Sequence, residues 1–337
     1  MAISIALYGY DTDIGKLIIE TLEEQDLDFA DFFPLSPLNG EYDAVQIKRR
    51  NYFVEPINKF DFSRADVALF ISTADESSQW VKKAQEAGCI VIDNSHLFSG
   101  DGHTVTIAPE LNEYEIKDAV ASRLVIPPLA PALQLALSLA PLDDEYGIER
   151  VSAVFLESVS EHGRLGTETL ARETTLLLNG MSAEHDGFQA QLAFNLHTQI
   201  GDMEDNGNTH HENVIKNEVA KLMGRFDGGF DVTCIQVPVF YGHTLSVTVD
   251  VKRPIKDQDE LEQVFSESEY VSLAEKGQML TPVTDTVSSR DIIITRLRQQ
   301  KPQSKTVSFV SLMDNSRRGE AITCVKLAQL LSKFLQK

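Results

Sequence analysis

Few residues of this chain pair a reactive side chain with a spacing that could put it to use. His243 closes the run Val237-Pro-Val-Phe-Tyr-Gly-His243 and, titrating near neutrality, offers a base. Glu218 and Lys221 stand three residues apart, the spacing that sets two side chains on one helix face. A thiolate would have to come from Cys89, Cys234 or Cys324, which are too far apart in sequence for a disulfide framework or a zinc motif and read as buried structural thiols. His210 and His211 are adjacent, so they diverge around a helix start. They make a poor metal pair, and both are expected in solvent; no metal site is expected. His96, His103 and His162 fall in loops and are assigned no role.

A second kind of chemistry sits in the turn Gly9-Tyr10-Asp11-Thr12-Asp13-Ile14-Gly15. A dinucleotide loop uses three glycines, for the turn, for close approach to pyrophosphate and for helix packing. Here the outer two stand and the middle one is Thr12. Asp11 and Asp13 work against a polyanion: a carboxylate about 5 Å from a phosphate opposes it by roughly 3 kcal/mol at an effective dielectric near 20. The helix dipole returns about 1–2 kcal/mol at most. NAD(P) is therefore expected to bind weakly at best, and no cofactor is assigned.

These residues need elements to hold them. Ile3–Tyr8, Asp66–Ser72, Cys89–Asp93 and Arg123–Ile126 are short apolar runs alternating with helical spacing, the pattern of a parallel, doubly wound sheet. The apolar stretch Leu124–Leu142 has the length of a membrane span, but its four prolines and Gln134 make it a core strand followed by a core helix. Beyond Asp143 come long strands, Glu149–Ser158, Val232–Phe240, His243–Val251, Asp291–Arg298 and Thr306–Met313, which predict a mostly antiparallel sheet. Thr209-His-His-Glu212 has the form of a capping box, opening a helix that runs to about Met223. The last helix is expected over Arg317–Phe334. The fold class is α/β: a Rossmann-like domain over 1–129 completed by the terminal helix 317–337, and an α+β domain over 130–316.

With 337 residues, 42% of them hydrophobic and a net charge of −21, the chain can bury sizeable cores and offers little to nucleic acid or an anionic membrane. Its start lacks the basic region and cleavage site of a signal peptide, so a cytoplasmic location is expected.

Five ordered motifs give a resemblance. They are Asp93-Asn-Ser95 with Phe98, Gln191-Leu-Ala-Phe-Asn195, Asn217-Glu218-x-x-Lys221, Val237-Pro-Val-Phe-x-Gly-His243 and Asp314-Asn-x-Arg-Arg-Gly319. Together they span nearly the whole chain, which resembles aspartate-semialdehyde dehydrogenase and more closely the Usg-type homologues of that enzyme. The resemblance implies a homodimer built by the second domain, NADP as hydride carrier, a cysteine nucleophile and a histidine that moves protons.

Against that pattern this sequence departs at several positions. The stretch Pro127-Pro-Leu-Ala-Pro-Ala-Leu-Gln134 aligns with the nucleophile motif, and Ala130 falls where the cysteine is expected; a methyl group cannot attack a carbonyl. Ser99 and Gln236 align with anion-binding arginines, and neither supplies a guanidinium fork. Glu157 aligns with a substrate-pocket glutamine. Ser72-Thr-Ala-Asp-Glu76 takes the second cofactor loop, Thr323 a nicotinamide-contacting position, and Ser36-Pro-Leu-Asn39 lacks the arginine expected for a 2′-phosphate. Glu218, Lys221 and His243 remain. The expectation is a catalytically degenerate homologue that serves as a binding or interaction protein, with no ligand identified. One alternative is an NAD(P)-linked oxidoreductase acting on an aldehyde or oxo group in amino-acid biosynthesis. The other is a cysteine-free enzyme of another class using His243 with Glu157 or Glu218.

Overall fold

The computed structural model describes residues 2–25, 27–37, 43–99, 104–224, 228–287 and 289–335. Leu38, Asn39 and His103 lie outside the described residues. The chain divides into two compact units, Met1–Pro128 with Glu320–Lys337, and Leu129–Gly319.

In the first unit the strands are β1 (Ile3–Tyr8), β2 (Phe29–Ser36), β3 (Ala44–Ile47), β4 (Arg50–Phe53), β5 (Glu55–Pro56), β6 (Val67–Phe70), β7 (Ile90–Asp93), β8 (Val105–Thr106) and β9 (Leu124–Ile126). All but β3 and β4, which form their own hairpin, pair in one parallel sheet of order β5-β2-β1-β6-β7-β9-β8. The period of two sorts β1 between two cores. Ile3, Ile5 and Leu7 join one with Ile18, Leu22, Val325 and Leu331. Ala6 and Tyr8 join the other with Val81 and Ala84. The first core brings together α1 (Asp13–Glu24), α3 (Ile116–Ser122) and the terminal helix; α2 (Ala74–Ala87) belongs to the second.

The second unit opens with α4 (Ala130–Tyr146), followed by β10 (Ile148–Glu157), α5 (Gly163–Leu178), α6 (His210–Leu222), β11 (Gly229–Gln236), β12 (His243–Ile255), α7 (Gln258–Ser266), β13 (Ser272–Leu273), β14 (Ile293–Gln299) and β15 (Ser304–Met313). Its sheet has the order β11-β10-β12-β15-β14-β13. The three interior ladders are antiparallel and the two edge ladders parallel. Every residue of α4 from Ala130 to Leu142 is buried, which is why that stretch is apolar all round. The Gln134 amide N–H and the Ser138 hydroxyl meet Ser311 of β15 at 3.2 and 3.0 Å, which pairs these donors inside the unit. No helix among the described residues is long and apolar enough to cross a membrane.

Among the element ends that differ from expectation, two have a local cause. β11 stops at Gln236 because Pro238 lacks the N–H that a ladder needs. The terminal helix, α8 (Ile322–Leu335), starts later than Arg317: the Asp314 carboxylate accepts the Arg317 N–H at 2.9 Å, and Asn315–Ala321 form a wider turn first.

Candidate functional site

The second unit collects its chemistry at one end of β10 and β11. Glu157 closes β10 opposite Gln236 in the parallel register, and Cys234, two residues back along β11, lies on the same face. Above this corner stands the N-terminus of α6. Its capping box closes as expected: Thr209 Oγ1 accepts the Glu212 N–H at 3.2 Å, and Glu212 Oε2 accepts the Thr209 N–H at 2.8 Å. The other Glu212 oxygen accepts the Cys234 N–H at 2.9 Å, which ties α6 to β11.

That tie sets His211 over Glu157. Its Nε2 lies 3.0 and 3.1 Å from the two carboxylate oxygens. Burial disfavours charge on both partners, but their mutual attraction wins: Glu157 is held below the usual carboxylate range, and His211 is pushed up to about 9. At neutral pH the pair is a buried carboxylate and an imidazolium. His243 is fully buried beside it. Burial drives it down to about 4, so it is neutral. Its Nε2 is 3.3 Å from Glu161 Oε2 without hydrogen-bond alignment, and its Nδ1 has no hydrogen-bond partner. Gly242 carries His243 into place with φ +86°; a Cβ there would meet Thr286 Oγ1 at 2.8 Å and Pro282 Cβ at 2.9 Å.

Gln236 donates its Nε2–H to the Glu157 carbonyl at 2.6 Å, and its Oε1 is 2.8 Å from His162 Nε2. His162, assigned no role from sequence, thus borders the site. A cavity of about 420 Å³ opens on His162 and Gln236, walled by Phe188, Leu196 and His197. The Gln191–Asn195 motif shapes that wall. Glu173 accepts the N–H groups of Leu192 and Ala193 at 2.7 and 2.8 Å, and His197 reaches the Gln191 carbonyl at 3.0 Å.

Glu218 and Lys221 do not form the surface pair that their spacing allows. Lys221 is exposed, whereas Glu218 is buried and accepts the Leu129 N–H at 2.8 Å, just ahead of Ala130 at the start of α4. Burial raises the Glu218 carboxyl to about 7. The expectation for His211 also needs correcting. His210 is exposed and pairs with Glu204, but His211 turns inward with Ile215, Glu218 and Leu222. Positions 211, 215, 218 and 222 recur at helical spacing, a signal present in the sequence that adjacency to His210 obscured. Cys89, Cys234 and Cys324 are all buried free thiols, as expected.

In the first unit the two outer glycines of the turn sit where only glycine fits. Gly9 has φ +84°, and a Cβ on it would lie 2.1 Å from the Ile71 carbonyl oxygen; one on Gly15 would lie 2.0 Å from the Gly9 oxygen. Thr12 caps α1, accepting the Gly15 N–H at 2.9 Å, while Asp11 and Asp13 are exposed, Ile14 is half-buried and Tyr10 packs partly against the core. At the start of α2, Glu76 turns back to accept the Thr73 N–H at 3.0 Å and the Tyr8 hydroxyl at 2.8 Å. Ser72 Oγ contacts Ser77 Oγ at 2.8 Å, Thr323 is buried on α8, and Ser99 is exposed. Two of the three glycine positions of a dinucleotide turn are thus in place, and the charge around them is acidic.

Residues 4–119 match the family model described as semialdehyde dehydrogenase, NAD binding domain, and residues 139–318 match that described as semialdehyde dehydrogenase, dimerisation domain. The chain belongs to the semialdehyde dehydrogenase family. Aspartate-semialdehyde dehydrogenase 2 of Vibrio cholerae is 30% identical over 97% of both chains. The USG-1 protein homolog of Pseudomonas aeruginosa is 31% identical over 98% of both. The crystal structure of the Vibrio cholerae aspartate semialdehyde dehydrogenase II complexed with ASA superposes with a TM-score of 0.93, at 29% identity and 99% coverage of each chain. Relatives of this semialdehyde dehydrogenase family member that match it end to end are named as enzymes, and they overturn the expectation that the chain is not one.

Proposed function

We propose that this family member is an oxidoreductase that interconverts an aldehyde or oxo group and its reduced form, moving hydride and proton directly rather than through a thioester. Three features support a reaction without a covalent thiol. Ala130 holds the position where the resemblance sets the nucleophile. Cys234 is fully buried, and burial pushes its thiol up, away from the thiolate. Gln236 and Ser99 offer no guanidinium to a carboxylate or phosphate, which turns the preference toward a neutral or cationic oxo compound.

The observation that carries the reading is the Glu157–His211 pair. An imidazolium held by a buried carboxylate is a proton donor for an oxo oxygen that gains negative charge. Glu157 fixes the ring and keeps its charge. His243, neutral and without a hydrogen bond at Nδ1, orients a substrate polar group. Glu218 holds the backbone at the start of α4.

NAD(P), when bound, supplies or accepts the hydride. The Gly9–Gly15 turn and the Ser72 loop would hold it. Asp11, Asp13, Asp75 and Glu76 weaken any polyanion there, NADP more than the less charged NAD. A dissociation constant for NADP near or above millimolar, about −4 kcal/mol, is expected. The second unit would form a homodimer. Its sheet carries helices on one face, while Val154, Ser246 and Thr248 stand exposed on the other.

The test is NADH and NADPH oxidation with a panel of aldehydes and keto compounds, alongside calorimetric titration of both cofactors. Turnover without phosphate that survives thiol alkylation is expected, and His211→Gln should lower kcat by roughly 10²–10⁴ with KM little changed. Phosphate-dependent turnover abolished by alkylation, or no binding of either cofactor at concentrations roughly tenfold above millimolar, would refute the proposal.

A further inference from the structure

The acid–base pair has a third neighbour that the proposed reaction does not use. Glu157, His211 and Cys234 each offer one ligand atom, and these atoms lie within 4.8 Å of one another. We infer that Glu157, His211 and Cys234 form a site for a zinc-class divalent cation, with a fourth position open to an oxygen of the substrate.

The donor set selects the metal. A carboxylate oxygen, an imidazole nitrogen and a thiolate suit zinc or cobalt, whereas calcium and magnesium take oxygen alone. Zinc bond lengths set ligand atoms roughly 3.4–3.8 Å apart in a tetrahedron, so the His211 and Glu157 atoms, now 3.0 Å apart, need to part by about 0.5 Å, and the Cys234 sulfur, within 4.8 Å of both, needs to close by roughly 1 Å. They come from separate rigid elements, the end of β10, the first turn of α6 and the middle of β11, and no local sequence motif announces them. Glu157 and Cys234 are fully buried. The partners around them are in place. The Cys234 N–H is bonded to Glu212, and the Glu157 main chain is bonded by Gln236.

Two further observations point to a cation. Three carboxylates gather at this corner: Glu157 faces the His211 ring at 3.0 Å, Glu161 lies 3.3 Å from His243, and Glu212 accepts the Cys234 N–H. His243 is fully buried, with ring nitrogens that make no hydrogen bond, next to Glu157 and His211. A neutral imidazole in that place is available to a group held at the open position. The cavity lined by His162 and Gln236 adjoins this corner through Gln236, which bonds the Glu157 carbonyl. Binding displaces the proton of His211 and that of the Cys234 thiol, so affinity should rise with pH. The site stands on this geometry; a bound cation would take the place of the His211 proton as the electrophile facing the oxo group, and that use rests on the oxidoreductase reading.

The experiment is anaerobic Co²⁺ titration of the full-length, chelator-treated protein, read by absorption. Expected are one cobalt per chain, visible bands of tetrahedral intensity and a thiolate-to-cobalt charge-transfer band. Cys234→Ser should abolish the charge-transfer band. His211→Gln should weaken binding at least tenfold, and Cys89→Ser should change neither. If Cys234→Ser does not fold, Zn²⁺ should still raise the wild-type Tm and leave that of folded His211→Gln unchanged. Octahedral spectra, no charge-transfer band, or equal binding by wild type and His211→Gln would overturn the site. Cobalt bound as expected with no NADH or NADPH binding would keep the site and refute the oxidoreductase reading; cofactor binding without cobalt would do the reverse.

Discussion

The two units use the same acidic side chains in opposite ways. At the loops of the first unit, Asp11, Asp13 and Asp75 are exposed, and Glu76 serves its own helix as a cap, bonded to Thr73 and Tyr8. In the second unit Glu157, Glu212 and Glu218 are buried, and each binds a group distant in sequence: His211, the Cys234 N–H and the Leu129 N–H. An exposed carboxylate is screened by water and salt and acts mainly on charged ligands. A buried one must find a partner, and so fixes both a geometry and a protonation state. Charge in the first unit should therefore tune affinity, and charge in the second should govern stability and chemistry.

The hardest blow to that contrast would come from Glu157→Gln. Removing one partner of a buried pair costs about 3–5 kcal/mol, so urea unfolding at pH 7 should show a loss of that order. In the wild type the raised pKa of His211 gives stability that is fully present below about 6.5 and lost as pH rises through about 9. The variant should lose that slope, and an unchanged slope would break the assignment.

Next comes Glu218→Gln. Glu218 shifts from 4.5 to about 7, so its contribution is present below 4.5 and is lost as pH rises through about 7. The amide mimics the protonated acid, and the variant should gain on the order of 2–3 kcal/mol relative to wild type between pH 4.5 and 8. Equal pH profiles from thermal melts would show that Glu218 stays ionised in the fold.

A smaller effect is expected in the first unit. Asp11→Asn with Asp13→Asn should tighten NADPH binding roughly tenfold in 50 mM salt and less at 300 mM, with unfolding unchanged. Calorimetry showing no salt-dependent gain would separate these acids from the cofactor site. Smallest of all, Thr12→Gly should cost only a few tenths of a kcal/mol, because glycine is a tolerable N-cap. A larger loss in chemical denaturation would make the first loop as structural as the second site.

Much of this molecule was legible before any coordinates. The short apolar strand β1, the glycine turn, the capping box at Thr209 and the proline-broken apolar stretch are local patterns, each fixed by residues within a turn or two of one another. Local geometry obeys local sequence, since a period of 2 or 3.6 and a missing N–H act over a few residues. The tertiary structure decided what those elements bring together. His211 and Glu157 are 54 residues apart, and their pair exists because Glu212 fastens α6 to β11 beside the end of β10. The same packing buried Glu218 while leaving Lys221 in solvent, and it set Cys234 beside an acid and an imidazole. Burial and long-range proximity fix charge and pKa, and neither is a property of a residue's neighbours in sequence.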